Sequence, residues 1–224
     1  MRQSWWKILT IALLLYTLTA GLLMDVPRLP ILNETIRALY FHVTMWFGML
    51  IALLISVIYS IKYLKGNDLK HDDVAIEFAN VGILFGVLGL LTGMLWAKFA
   101  WGDYWSGDPK QNAAAIAMLM YFAYLILRNS LTDSQQRGRI SAIYNIFAFA
   151  IYIPLVYILP RMTDSLHPGN GGNPGFNTYD TDSNLKMVFY PAIIGWTLLG
   201  TWVATVRIRM RRVERKFEDR MINS

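Results

Sequence analysis

The chain is organised as long apolar runs that alternate with short polar stretches. Several of these runs reach 18 residues or more without a break in hydrophobic character. At about 1.5 Å per residue, a helix of that length crosses the roughly 30 Å hydrocarbon core of a bilayer. We therefore predict an all-α, polytopic membrane protein with six transmembrane helices. The predicted spans cover residues 6–24, 41–64, 77–97, 112–131, 140–159 and 186–206.

Lysine and arginine are distributed unevenly between the two predicted sides of the membrane. With a cytoplasmic N-terminus, fifteen of these residues lie on the cytoplasmic side and six on the other. Because cytoplasmic connections carry the excess of positive charge, both termini are predicted to be cytoplasmic. The predicted organisation is a membrane domain of residues 1–206 and a basic cytoplasmic tail of residues 207–224. That tail either acts as a solvated topology anchor or contacts anionic lipid headgroups.

The composition agrees with a membrane protein and narrows its chemistry. Hydrophobic residues make up 55% of the chain and charged residues 16%, whereas soluble domains average about a quarter charged. The lack of cysteine excludes a thiol nucleophile, a disulfide framework and an iron–sulfur cluster. The net charge of +6 does not indicate nucleic-acid binding, since most of the excess lies in short loops and the C-terminal segment.

The unusual connections lie on the predicted non-cytoplasmic side. A tryptophan-rich loop is predicted over residues 98–111, directly after Trp96, and contains Trp101 and Trp105 among glycines and charges. A second loop, rich in Gly, Asn and Pro, is predicted over residues 160–185. The tryptophans fit an aromatic belt at the membrane interface, and they also fit a stacking platform for a flat apolar ligand. The residues alone leave both interpretations open.

Two of the three histidines fall on the same predicted side. His42 stands at the start of the second span and His167 in the loop 160–185, whereas His71 is predicted in a cytoplasmic loop. Neutral imidazole is the usual haem ligand where cysteine is lacking, so two loops offering one histidine each fit axial ligation of haem, although each is also an ordinary interfacial residue. Haem propionates would need cations. The outer side has six: Arg28, Arg37, Lys98, Lys110, Arg161 and Lys186.

No enzyme motif accompanies these residues. The sequence has no Ser/His/Asp order, HExxH, Walker loop or GxGxxG, and no paired carboxylates suited to acid–base work. We therefore predict that the protein is not an enzyme in the ordinary sense. Intramembrane charges of the kind that line an ion path are also scarce in the predicted spans.

The run Trp101-Gly102-x-x-Trp105-x-x-Asp108 resembles the tryptophan-rich signature of the haem-handling proteins of cytochrome c biogenesis, and the six spans most resemble the CcmC family. The resemblance implies that His42 and His167 are axial ligands of haem b. It also implies that the four signature residues form the platform that holds this transient cargo.

The resemblance further implies a place in the cell and partners. The protein would lie in the bacterial cytoplasmic (inner) membrane with its functional loops on the periplasmic side. There it would deliver haem to a CcmE-like haem chaperone, alongside the subunits of an ABC-type haem exporter. Membrane lipid would surround it, and nucleic acid would not be a partner.

Three features of the sequence depart from the pattern of that family. Gly107 stands where the family usually has a third tryptophan, and Thr44 where it often has proline. The run Asp108-Pro109-Lys110 is more similar to the larger relatives of the CcsA/ResC and CcmF types. A component of a CcsA/ResC-type cytochrome c haem lyase is therefore an alternative function. A haem-free membrane assembly or transport subunit is a third.

Overall fold

A computed structural model describes residues 4–28, 32–167 and 182–222 of the chain. The described chain is helical, and six of its helices are long and apolar enough to cross a membrane, which confirms the predicted all-α, six-span fold. Shorter helical turns precede α2 and follow α5. The helices are α1 (Trp5–Leu23), α2 (His42–Gly66), α3 (Leu69–Trp101), α4 (Pro109–Asn129), α5 (Ser134–Ile153) and α6 (Ser183–Ile222).

Short polar caps define where most of these helices begin and end. The side chains of Asp68, Asp108 and Asp133 accept hydrogen bonds from backbone N–H groups in the first turns of α3, α4 and α5. Such caps satisfy N–H groups that have no partner within the helix. At the other ends, α2 stops at Asn67 and α3 at Gly102, both of which adopt the left-handed conformation that closes a helix.

The helices alternate in direction, so that both ends of the described chain lie at one end of the bundle. We call that end the lower end, and the end at which α2 begins the upper end. The most extensive packing is between α2 and α3, while α1 packs mainly against α6. Gly82 permits the close approach of α2, because a Cβ atom there would meet a methyl carbon of Leu53 at 2.8 Å.

Two helices are longer than the sequence predicted. Helix α3 begins at Leu69 rather than at residue 77, and α6 continues to Ile222 through the segment that was predicted as a separate tail. The predicted spans of residues 77–97 and 186–206 end at or next to charged residues. These charged residues continue the helices instead, because most of the charged side chains facing the bundle are paired inside it.

The first of these pairs joins α3 to α4 at the lower end. Arg128 donates two hydrogen bonds to the Asp72 carboxylate, from Nη1 at 2.8 Å and from Nη2 at 2.6 Å. Both side chains are only 5% exposed. This fork geometry satisfies both carboxylate oxygens, which is what allows two charges to remain inside a helical bundle.

The other pairs join α3 to α6. The Glu77 carboxylate accepts from Arg207 Nε at 2.5 Å and from Arg211 Nε at 2.7 Å, and Asp73 accepts from Arg215. The three arginines are spaced by four residues, so they share one face of α6. That face is therefore held against α3 over the last turns of the bundle.

Candidate functional site

A cavity of about 660 Å³ opens at the upper end of the bundle. Its walls are largely apolar and come from the helical turn before α2, from α2, α3 and α4, and from the turns after α5. A volume in this range is typical of small-molecule and cofactor sites. The chemically distinctive side chains that line it include two histidines, three tryptophans and two cations: His42, His167, Trp46, Trp96, Trp105, Lys110 and Arg161.

His42 is the first residue of α2 and is anchored to α3. Its Nδ1 lies 2.9 Å from the Gly89 carbonyl oxygen and 3.2 Å from Thr92 Oγ1. A carbonyl oxygen only accepts, so Nδ1 carries the proton and Nε2 keeps its lone pair. Gly93 makes room for the ring, since a Cβ atom there would lie 2.6 Å from His42 Cε1.

His167 is anchored by one buried carboxylate. Its Nδ1 lies 2.8 Å from Asp108 Oδ1, and the Asp108 side chain is only 1% exposed. The same carboxylate accepts from the Leu166 backbone N–H at 2.7 Å and from the Ser165 hydroxyl at 2.9 Å. Asp108 also caps α4, where it accepts from the Lys110 backbone N–H. One side chain thus fixes both the start of α4 and the segment that carries the histidine.

The electrostatics of this pair favour a neutral imidazole beside a charged carboxylate. Burial raises the pKa of Asp108, but hydrogen bonds from His167 and the Leu166 N–H outweigh it and hold that pKa well below its usual range. Burial lowers the pKa of His167, and the opposing effect of Asp108 is smaller. The neutral ring therefore donates from Nδ1 to Asp108 and leaves Nε2 unprotonated, as at His42.

The predicted tryptophan platform is only partly formed by the predicted residues. Trp105 lines the cavity, but Trp101 does not: it is the last residue of α3 and packs edge-on against the His167 ring, with centroids 4.7 Å apart. The cavity wall is instead completed by Trp96, whose ring lies 5.0 Å from that of Trp101. Trp96 follows Gly89 and Gly93 at helical spacing, so the sequence places it on the same face of α3 as these glycines. The structure brings its ring to 6.2 Å from that of His167, a contact that spacing along one helix does not reveal.

The connection between α3 and α4 is shorter than the predicted loop of residues 98–111. Only residues 102–108 lie outside the two helices. Gly102 and Gly107 both have positive φ angles, of +92° and +73°, which favour glycine over any other residue. Neither is among the cavity-lining residues; they shape the turn that brings Asp108 to His167. The positive φ angle at position 107 therefore explains why glycine stands there in place of the tryptophan that is usual in the family.

Of the six predicted cations, Lys110 and Arg161 line the cavity. Two others are committed elsewhere: Lys98 donates to the Gly102 carbonyl oxygen at 2.6 Å, and Arg37 pairs with Glu34. The cavity thus has a largely apolar, aromatic lining that includes two cationic side chains. Such a lining suits a flat apolar molecule that carries carboxylates.

The third histidine belongs to the opposite end of the molecule. His71 lies in the first turns of α3 rather than in a loop, and its ring packs against that of Tyr59 with centroids 5.9 Å apart. Thr44, which also departs from the family pattern, is buried in the first turn of α2 and donates to the Tyr40 carbonyl oxygen at 2.8 Å. Neither residue lines the cavity.

A six-helix membrane bundle with two inward-facing imidazoles at one end defines a polytopic membrane protein with a paired-histidine site. The sequence model of the family described as Heme exporter protein C (CcmC) matches residues 1–223, and the chain belongs to that family. The predicted resemblance is therefore confirmed.

Individual relatives agree with this assignment. The chain is 26% identical to Heme exporter protein C of Haemophilus influenzae over 188 residues, which cover 80% of this chain and 72% of that protein. It is 28% identical to Heme exporter protein C of Bradyrhizobium diazoefficiens over 136 residues, or 60% of this chain and 51% of the relative. A cytochrome c biogenesis protein CcsA of Pelargonium hortorum is 39% identical over 79 residues, 35% of this chain and 25% of that protein. The chain thus matches about half of the length of the Bradyrhizobium protein and about a quarter of the length of the Pelargonium protein.

Proposed function

We propose that this protein binds haem b in the upper cavity, with His42 and His167 as the axial ligands, and passes it on during cytochrome c maturation. One observation carries the proposal. Two imidazoles line the same cavity, and each has its Nδ1 hydrogen committed to a fixed acceptor. Each therefore keeps an Nε2 lone pair for iron, which is the arrangement that orients metal-bound histidines.

The other site residues have supporting roles in this proposal. Trp96 and Trp105 provide stacking surface for the porphyrin, and Lys110 and Arg161 pair with its propionates. Asp108 acts through His167 rather than on the haem, because it is buried behind the ring. Of the remaining signature residues, Trp101 backs the His167 ring and Gly102 forms the turn.

Haem is cargo in this proposal, so the protein acts as a delivery component and not as an enzyme. The receiving partner is a CcmE-like haem chaperone, and the protein works with ABC-type haem exporter subunits in the bacterial cytoplasmic membrane. The name Heme exporter protein C, which two relatives carry, supports such a role. The placement of His167 outside any helix supports release, since one carboxylate holds the segment that carries it.

A second candidate is a component of a CcsA/ResC-type cytochrome c haem lyase. The similarity to CcsA proteins at 36–39% identity over about 80 residues favours it, as does the Asp108-Pro109-Lys110 run. The two candidates differ in the receiver of haem. The delivery function predicts that the tagged, haem-loaded protein captures the haem chaperone, and the lyase function predicts that it captures apocytochrome c.

The absorbance spectrum of the purified protein tests haem binding. We expect a Soret band after expression with ample haem, and its loss in His42→Ala and in His167→Ala. His71→Ala is the matched control, because it removes a histidine at the opposite end of the bundle and should leave the band unchanged. No band in the wild-type protein would overturn the proposal and would leave the haem-free assembly or transport subunit.

The proposed orientation is tested separately with the natural lack of cysteine. Tyr104→Cys places one thiol on the exposed turn at the upper end, and Ser130→Cys places one at the lower end. A membrane-impermeant maleimide added to spheroplasts should label the first variant and not the second. The reverse pattern would place the cavity on the cytoplasmic side and contradict delivery at the outer face.

A further inference from the structure

The lower part of α6 carries an apolar stripe that no other described helix covers. Its members are Val206, Met210, Val213 and Phe217, and the last three are more than half exposed. Their spacing is four, three and four residues, which is the spacing of a helix-packing seam. The stripe spans about three turns of helix.

The orientation of this stripe is fixed by the ion pairs on the opposite side of α6. Arg207, Arg211 and Arg215 hold their face of the helix against Glu77 and Asp73 of α3. The apolar stripe therefore cannot turn inward without breaking these pairs, two of which involve a side chain that is only 2% exposed. It faces away from the bundle.

Bilayer lipid does not account for the far end of the stripe. Residues 78–97 of α3 are twenty uncharged residues, enough for the roughly 30 Å hydrocarbon core, so Glu77 marks its lower margin. Arg207 pairs with Glu77 at that level. Phe217 lies ten residues further along α6, or about 15 Å. The headgroup layer is only about 5–7 Å deep on each side, so Phe217 projects into water.

One flank of the stripe is cationic. Arg209, Arg212 and Lys216 lie there. Arg212 acts electrostatically on Asp68 and Asp73, but none of the three cations forms an ion pair with a side chain that the structure describes. Glu214 is the one acidic residue between Val206 and Phe217. A covering surface with carboxylates would match this flank, whereas another cationic surface would be repelled.

We propose that the stripe is a docking site for an amphipathic α-helix of another protein at the lower end of the bundle. The partner helix has an apolar seam with four- and three-residue spacing and carboxylates beside it, so that it covers Phe217 and pairs with the cations. The recognition is that of a helix packing side by side with α6. It is independent of the haem site, which lies at the upper end.

Photo-crosslinking in cells tests this proposal on the full chain. Phe217 is replaced with p-benzoylphenylalanine, and Leu119, an exposed residue at the centre of α4, is replaced in a control strain. We expect a protein adduct at position 217 that is not formed at position 119. Mass spectrometry of the crosslinked peptide should show an apolar seam flanked by Asp or Glu.

Charge reversal supplies the second arm. Arg209→Glu combined with Lys216→Glu should lower the adduct yield by about fivefold to tenfold, while Arg209→Lys should preserve it. Adducts with lipid only, an adduct of twice the chain mass, a crosslinked peptide without flanking acids, or no adduct would each overturn the proposal. The Soret band is recorded on the same variants, so that failure here is distinguishable from failure of the proposed haem function.

Discussion

Gly93 lies against the imidazole of His42, and the Cβ atom of an alanine at this position would press first on that ring. A Cβ atom at this position would lie 2.6 Å from His42 Cε1, whereas ordinary contacts begin at 3.4 Å. The ring must therefore retreat by about 0.8 Å. Such a retreat disrupts the 2.9 Å hydrogen bond from His42 Nδ1 to the Gly89 carbonyl oxygen. It also moves Nε2 by several times the roughly 0.2 Å tolerance of a metal–ligand distance.

The expected loss is in haem affinity more than in stability. Overpacking lowers the free energy of unfolding by about 1–3 kcal/mol, whereas alanine in place of glycine within a helix raises it by about 1 kcal/mol. Loss of an outer-shell hydrogen bond to a ligating histidine typically lowers metal affinity by about 10- to 100-fold. We therefore expect Gly93→Ala to remain folded and to bind haem about 10- to 100-fold more weakly.

The assay is a haem titration of the purified apoprotein followed at the Soret band, with thermal unfolding in detergent measured in parallel. Gly66→Ala is the matched control, because a Cβ atom at that glycine meets nothing within 4 Å. It should bind haem like the wild type. A Gly93→Ala variant with wild-type affinity and an unshifted band would refute the placement of His42 as an iron ligand.

Three further changes test the charged groups. Because the pKa of Asp108 is lowered in the folded protein, its charged form stabilises the fold above about pH 4, and this stabilisation is lost as the pH falls below that value. The difference in free energy of unfolding between wild type and Asp108→Asn should therefore be full at pH 6 and smaller at pH 3. An equal difference at both pH values would contradict this. Asp72→Asn should lower the free energy of unfolding by about 3–5 kcal/mol, because it leaves Arg128 buried without a counter-charge, whereas the same change at the exposed Asp68 should be nearly neutral in a thermal melt. Lys110→Gln should weaken haem binding by about tenfold or more while Lys110→Arg preserves it, and an unchanged affinity in the glutamine variant would exclude a propionate contact.

The number of spans was predictable because the bilayer imposes it. An uncharged run such as residues 78–97 has few structural alternatives to a spanning helix. The ends of α3 and α6 were not predictable, because a helix continues past charged residues whose side chains are paired within the bundle. Asp72 and Arg128 are 56 residues apart in sequence, and a single sequence does not show that they meet.

The site was predictable in its residue types and less so in their placement. The two histidines on one predicted side do line one cavity, and Trp105 joins them there. Asp108 was predicted to belong to the platform, whereas the structure has it hydrogen-bonded to His167. These two residues are 59 positions apart in sequence, and their contact depends on the backbone turn at Gly107. Spacing within the motif does not carry that information. Which of these residues touch haem stays a prediction.

The pairing of α6 with α3 also has a consequence for how the protein is made. Helix α6 is translated after the other five, so Glu77 and Asp73 enter the membrane region before their arginines exist. A nascent bundle of five helices lacks the arginines that pair with these two carboxylates, and an unpaired carboxylate is costly at the margin of the hydrocarbon. Insertion of the sixth helix removes that cost. The order of synthesis thereby becomes an order of assembly, in which arrival of the last helix locks the lower end of the bundle.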